Sequence, residues 1–257
     1  MEKSIGELVV NIVKGKIKKD NMEDASKLLD VIIRNGTSAQ IEYLVKESWV
    51  NIKYHPSYLN ESLYTAASLG QADIVESLFQ SGFNVVEYYN QMEENKILDI
   101  AIKKGYCNIV EILIKYGANV NNYDNYNCVA PLNIAVERGY YDIVELLLKN
   151  GAKMDNIMSA VIESPIHIAC RIGNLDIVKL LVKHGADVNY YMWNYITPLY
   201  QATKFNHLEV VKFLVENGAF KNMTVHDPLQ LAIKRGYTDI AKYLKNEEKL
   251  IKKQRIK

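Results

Sequence analysis

The chain reads as an all-α solenoid of about seven helix-turn-helix units with a helical N-terminal cap. Three kinds of punctuation predict it. A helix-stopping residue recurs at Gly36, Gly70, Gly105, Gly139, Gly173, Asn206 and Gly236, at spacings of 34, 35, 34, 34, 33 and 30 residues. Pro131, Pro165, Pro198 and Pro228 each fall eight residues before that position. Gly82, Gly117, Gly151, Gly185 and Gly218 fall twelve after it. A fixed period of this size marks stacked units, each too small to bury its own apolar face.

The unit with the sharpest punctuation is Ser164–Asn189, SPIHIACRIGNLDIVKLLVKHGADVN. Ser164 suits an N-cap, and Pro165 the first helical position, where a missing N–H costs nothing. Ile166, Ala169 and Cys170 recur at helical spacing, and Gly173 ends the helix by accepting a left-handed conformation. Asp176 falls in the first turn of a second helix, at the positive end of its dipole. Ile177, Val178, Leu180 and Leu181 form the apolar stripe of that helix, and Gly185 ends it. Two helices this short are unstable alone, so neighbouring units must cover them.

The segments APLNIAVERG with DIVELLLKNGA, SPIHIACRIG with DIVKLLVKHGADVN, and TPLYQATKFN with EVVKFLVENGA carry a specific resemblance. Together the chain resembles the ankyrin repeat family, whose unit runs T-P-L-H-x-A-A-x-x-G, then an I-V…L-L helix, then G-A-x-V-N. The resemblance spans roughly residues 22–244. It implies a stack of helix pairs with hairpin-like loops projecting as fingers, a protein-binding role and no catalysis.

The expected organisation is a single domain over 1–257. It comprises a cap helix at 1–21, repeats at 22–52, 61–86, 96–121, 130–155, 164–189 and 197–220, and a capping repeat with a basic tail at 227–257. Ser4-x-x-Glu7 has the form of a capping box ahead of Leu8, Val9, Ile12 and Val13. The first repeat is degenerate. Ile32 and Ile33 stand where the family has Ala-Ala, and Ser48-Trp49 where it has Gly-Ala, so local distortion is expected. The second repeat keeps Leu63, Ala66, Ala67, Gly70, Ile74, Val75, Leu78 and Gly82. The third keeps Leu98, Ala101, Gly105, Ile109, Val110 and Leu113. In the sixth, Asn206 replaces the inter-helix Gly, and Asn tolerates the left-handed turn. The last repeat ends in KNEEKLIKKQRIK, a charged end suited to an outer face without a neighbour.

Composition narrows the class further. The net charge of +1 gives no general pull toward nucleic acid or membrane. No segment is long and uncharged enough to cross a bilayer, and the N-terminus lacks a cleavage-site pattern. The three cysteines, Cys107, Cys128 and Cys170, form no close pair. Reduced thiols and a cytoplasmic setting are therefore expected, with the nucleus as the alternative. The excess of Lys, Asn, Ile and Tyr implies AT-rich coding, which fits a large DNA virus, a protist or an intracellular bacterium. If viral, the protein would resemble adaptors that act on host proteins in the host cytoplasm.

Few residues invite chemistry. His167 occupies the family's T-P-L-H position, where Ser164 would hold it in a structural role. His55, His184, His207 and His226 show no metal-ligand spacing. Cys170 belongs to a packed small-residue pair, and Cys107 and Cys128 lack a cationic or histidine activator. There is no G-x-S-x-G, no phosphate-binding loop and no H-E-x-x-H. The expectation is no enzyme, no cofactor, no metal, no small-molecule substrate and a monomer. Basic residues collect at the ends of the first helices: Arg34, Lys103-Lys104, Arg138, Arg171, Lys204 and Lys234-Arg235. They could favour an acidic partner. Cations also suit helix C-termini, at about 0.3–1 kcal/mol each, and Glu137 interrupts the stripe, so nucleic-acid binding is disfavoured.

The departure that points to function lies in the finger segments, 51–60, 86–95, 120–129, 154–163, 188–196 and 219–226. They hold 9 of the 18 tyrosines in under a quarter of the chain. Turns favour Gly, Asn, Asp and Ser, whereas Tyr and Trp supply stiff, half-polar surface enriched at interface hot spots. The candidate partner-contact residues are Tyr88, Tyr89, Tyr123, Tyr126, Tyr190, Tyr191, Trp193 and Tyr195, with some rings expected to pack on a neighbouring finger. Ankyrin proteins are also hydroxylated on finger asparagines by an asparaginyl hydroxylase favouring Leu eight residues earlier. Leu181 with Asn189 and Leu113 with Asn121 match that spacing, which makes Asn189 and Asn121 modification candidates.

Overall fold

A computed structural model of the chain describes residues 29, 31–34, 37–39, 42, 56–81, 96–121, 129–154, 163–192, 195–219 and 226–254. The expected cap at 1–21, and Ser48 and Trp49, lie outside these residues. Among the described residues the secondary structure is helical, with no strand. Isolated helical positions at 31–34 bury Ile32 and Ile33. Beyond them the helices come in pairs: α1 Pro56–Leu69 with α2 Ala72–Gln80, α3 Lys96–Lys104 with α4 Cys107–Lys115, and α5 Pro131–Arg138 with α6 Tyr141–Lys149. The series continues with α7 Pro165–Ile172 and α8 Leu175–Lys183, α9 Pro198–Lys204 and α10 Leu208–Glu216, and α11 Pro228–Arg235 and α12 Thr238–Gln254.

Two ends differ from the sequence reading. Helix α1 begins at Pro56, inside the segment expected as a finger, so Tyr58 occupies a helical position. Pro56 pre-sets the helical φ, and no breaker lies between it and Gly70. At the other end α12 runs for 17 residues, because no glycine stands twelve residues beyond Gly236 to stop it.

The chain divides into two compact units, Met1–Asn122 and Tyr123–Lys257. In the first, α1 packs on α2 and α3, and α4 on α3 and α2. In the second, each first helix packs on the next first helix, α5 on α7, α7 on α9 and α9 on α11. The second helices stack in parallel, α6 on α8, α8 on α10 and α10 on α12. This nearest-neighbour pattern is what a repeat stack requires. The residues that fill it are the periodic ones: Leu132, Ala135, Val144, Leu147, Ala169, Cys170, Ile177, Val178, Leu181, Leu199, Ala202, Val211 and Leu214 have no exposed surface.

The turn between the helices of a pair is built twice over. Gly173 has φ 81 and Asn206 φ 63, the left-handed region in which a side chain is disfavoured. The following residue then reaches back to the previous turn. A Cβ on Gly70 would lie 3.0 Å from the Tyr106 ring, and one on Gly173 would run into the His207 ring. His207 Nε2 sits 2.9 Å from the carbonyl oxygen of Arg171, and Tyr237 Oη donates to the Lys204 carbonyl at 3.4 Å. Within the second unit the turns therefore form one row along an edge of the stack.

Candidate functional site

His167 is the residue around which the best-defined finger is held. It lies in the first turn of α7 with no exposed surface. Ser164 stands at the N-cap position, yet its hydroxyl makes no bond to a helix N–H. Instead Ser164 Oγ lies 2.7 Å from His167 Nδ1, and His167 Nε2 lies 3.0 Å from the carbonyl oxygen of Ile196. A carbonyl only accepts, so Nε2 carries the proton and Nδ1 accepts from Ser164. Burial pushes the imidazole down to about 4, although the bond to Ile196 pulls the other way, so the ring is neutral at physiological pH. In the next unit Tyr200 takes the equivalent position, and Thr197 Oγ1 turns to its ordinary cap role, accepting from Tyr200 N at 3.2 Å.

From this hub, residues 187–192, 195 and 196 are tied together by short-range hydrogen bonds. Asp187 Oδ1 accepts from Asn189 N at 2.8 Å, and Tyr190 N donates to Asp187 O at 3.1 Å. Met192 N donates to Ile196 O, and Tyr195 N to Met192 O, both at 3.0 Å. Asn189 Nδ2 reaches the Gly218 carbonyl at 3.1 Å. The three described tyrosines are sorted by this arrangement. Tyr190 is half-buried with its ring edge-on to His167, centroids 6.1 Å apart. Tyr191 and Tyr195 are 58% and 54% exposed and stack on each other at 5.7 Å. Tyr195 holds φ 58, a conformation that costs a non-glycine residue about 1–2 kcal/mol. Tyr88, Tyr89, Tyr123, Tyr126 and Trp193 lie outside the described residues.

The modification candidates share a local geometry. Asn121 N donates to Asn119 Oδ1 at 2.9 Å, the same two-residue turn that Asn189 makes on Asp187. Their spacing partners, Leu113 and Leu181, are fully buried.

A polar network absent from the sequence reading links three first helices. Arg171 donates through Nε to Glu163 Oε2 at 2.8 Å and through Nη2 to Glu137 Oε2 at 2.7 Å. Gln201 Nε2 donates to Glu163 Oε1 at 2.7 Å, and Asn133 Nδ2 to the Glu163 carbonyl at 2.8 Å. Asn133 and Gln201 are buried. Loss of the Glu163 carboxylate would strand the buried Gln201 amide, at about 1–3 kcal/mol, while Asn133 would keep its bond to the main-chain carbonyl. The network holds α5, α7 and α9 in one register, and it removes Arg171 from the set of free cations. Only the repeat register, which aligns Glu137 with Arg171, hinted at it.

Among the described residues no group of three or more His, Cys, Asp or Glu is placed to hold a metal. Cys170 is fully buried, and burial pushes its thiol far above the ordinary range. Its sulfur is a packing group there, since the nucleophile would be the thiolate. Cys107 starts α4 and is half-buried; Cys128 lies outside the described residues. No described helix is long and apolar enough to cross a membrane.

Paired short helices and row-forming turns define a helical repeat protein. The family model described as ankyrin repeats (3 copies) matches residues 86–158 and 132–227, together more than half of the chain. The chain belongs to the ankyrin-repeat family, whose repeats are in general protein–protein interaction modules. No curated protein matches the sequence.

Proposed function

We propose that this chain is a non-catalytic interaction scaffold, an adaptor that docks a partner protein along its first helices and aromatic fingers. The observation that carries this reading is the Tyr191–Tyr195 pair. Two exposed, stacked rings stand on a loop closed by its own hydrogen bonds, with Tyr195 in a left-handed conformation. Strain of this kind persists only where the surroundings impose it, and it clusters at functional sites. Rings already held by hydrogen bonds and by each other lose less freedom on binding. The undescribed finger residues Tyr88, Tyr89, Tyr123, Tyr126 and Trp193 are further proposed contact residues, and the cytoplasm is the proposed setting. Replacing Tyr191, Trp193 and Tyr195 with Ala should abolish capture of the partner from a cell lysate while leaving helicity unchanged. Unaltered capture would exclude the finger site.

A second reading, as an asparaginyl hydroxylase substrate, is favoured by the matching turns at Asn121 and Asn189. Because Leu113 and Leu181 are buried, the enzyme would have to engage a locally opened repeat. Mass spectrometry after expression with an active hydroxylase decides it, unmodified asparagines removing the reading.

A further inference from the structure

We infer that the partner of this scaffold carries an acidic segment with bulky apolar side chains, received by the last turns of α5, α7, α9 and α11. The inference rests on the scaffold reading above and specifies the chemistry of its ligand. The residue just before each turn in the second unit is Arg138, Ile172, Phe205 and Arg235 in succession. Contacts between successive turns, Gly139 with Asn174, Gly173 with His207 and Lys204 with Tyr237, make these positions neighbours on one row. The two central ones are apolar and remain 37% and 43% exposed. Single exposed apolar side chains are ordinary, but two side by side in adjacent units form a patch that wants a partner.

Cations surround the patch. Arg138 lies at one end, Lys234 and Arg235 at the other, and the Lys204 ammonium stands 5.5 Å from the centroid of the Phe205 ring. None of these four has a carboxylate partner among the described residues. Arg171, between them, is already held by Glu137 and Glu163. The remaining acids of this edge, Asp142, Asp176, Glu209 and Asp239, open the second helices, past the turn. Asp176 lines a cleft between α6 and α8 together with Lys179 and Lys183. The first-helix side of the edge is thus cationic at both ends and apolar in the middle, in a chain whose net charge is only +1. A nucleic-acid backbone laid along it would set phosphates against Ile172 and Phe205. A peptide can place an apolar side chain there and carboxylates on either side, the anchor giving affinity and the charges giving encounter rate and register.

The test is selection from a random-peptide phage library on the full chain. The enriched peptides are expected to carry Asp or Glu on both sides of a Phe, Leu, Ile or Trp. Their affinity should fall about tenfold or more with Ile172→Ser plus Phe205→Ser, and likewise with Arg138→Glu plus Arg235→Glu. All four positions are exposed or half-exposed, and circular dichroism checks that each variant folds. Absence of enrichment, a pool without acidic bias, indifference to both double variants, or displacement by single-stranded DNA would each overturn the inference. Peptides that depend on Tyr191 and Tyr195 but not on the edge would leave the scaffold standing and remove only this proposal.

Discussion

His167 makes the second unit sensitive to mild acid. The folded chain holds the ring neutral, with a pKa of about 4 against the ordinary 6.5. The unfolded chain therefore binds a proton at this site at higher pH than the folded chain does. Stability from this group is complete above about pH 6.5 and is withdrawn as the pH falls toward 4. The full gap is worth about 3 kcal/mol, of which about 2 kcal/mol is lost between pH 7 and pH 4.5. Other groups titrate over the same range, so the assay is a comparison. Urea unfolding of the wild type and of His167→Gln, followed by circular dichroism at both pH values, isolates the ring. At pH 7 the wild type should be more stable by about 1–3 kcal/mol, through the bonds to Ser164 and Ile196. At pH 4.5 that advantage should shrink by about 2 kcal/mol. An advantage independent of pH would refute the reasoning, because it would mean that the ring is protonated without cost inside the fold.

Two further perturbations test the stack itself. Leu147→Asp places a charge at a fully buried position of α6, which should cost several kcal/mol and broaden or split the unfolding transition of the second unit; an unchanged curve would contradict stacked packing. Gly173→Ala and Gly151→Ala start from the same φ of 81, but only at Gly173 would the new methyl meet another residue, His207. Gly151→Ala should cost about 1 kcal/mol through backbone strain, and Gly173→Ala distinctly more. Equal losses in melting experiments would show that the His207 contact is soft.

Much of this architecture is written in short stretches of chain. Proline eight residues before a turn and glycine within it act through their own φ preferences, so helix α7 runs Pro165–Ile172 as its punctuation implies. Where the punctuation is absent the bounds shift: α1 starts early at Pro56 and α12 continues to Gln254. The candidate site was legible as composition, an excess of tyrosine in loops, but composition does not separate a packing ring from a presenting one. Tyr190 and Tyr191 are adjacent in sequence, yet Tyr190 lies against His167 while Tyr191 stacks outward on Tyr195.

The amino-acid sequence alone determined the period, the helix pairs, the buried stripe of each helix and membership of a repeat class, because these follow from local φ preferences and the 3.6-residue turn. The Ser164–His167 contact is expected from the sequence; only the tertiary structure decided that Ser164 makes it without also bonding a helix N–H, and that Glu163 gathers Arg171 and Gln201. It also decided that Ile172 and Phe205 are exposed along one edge, between cations that have no carboxylate partner among the described residues. The Glu163–Gln201 bond, the Arg171–Glu137 bond and the pairing of Ile172 with Phe205 join residues roughly one repeat apart, and such residues meet only once neighbouring units have stacked.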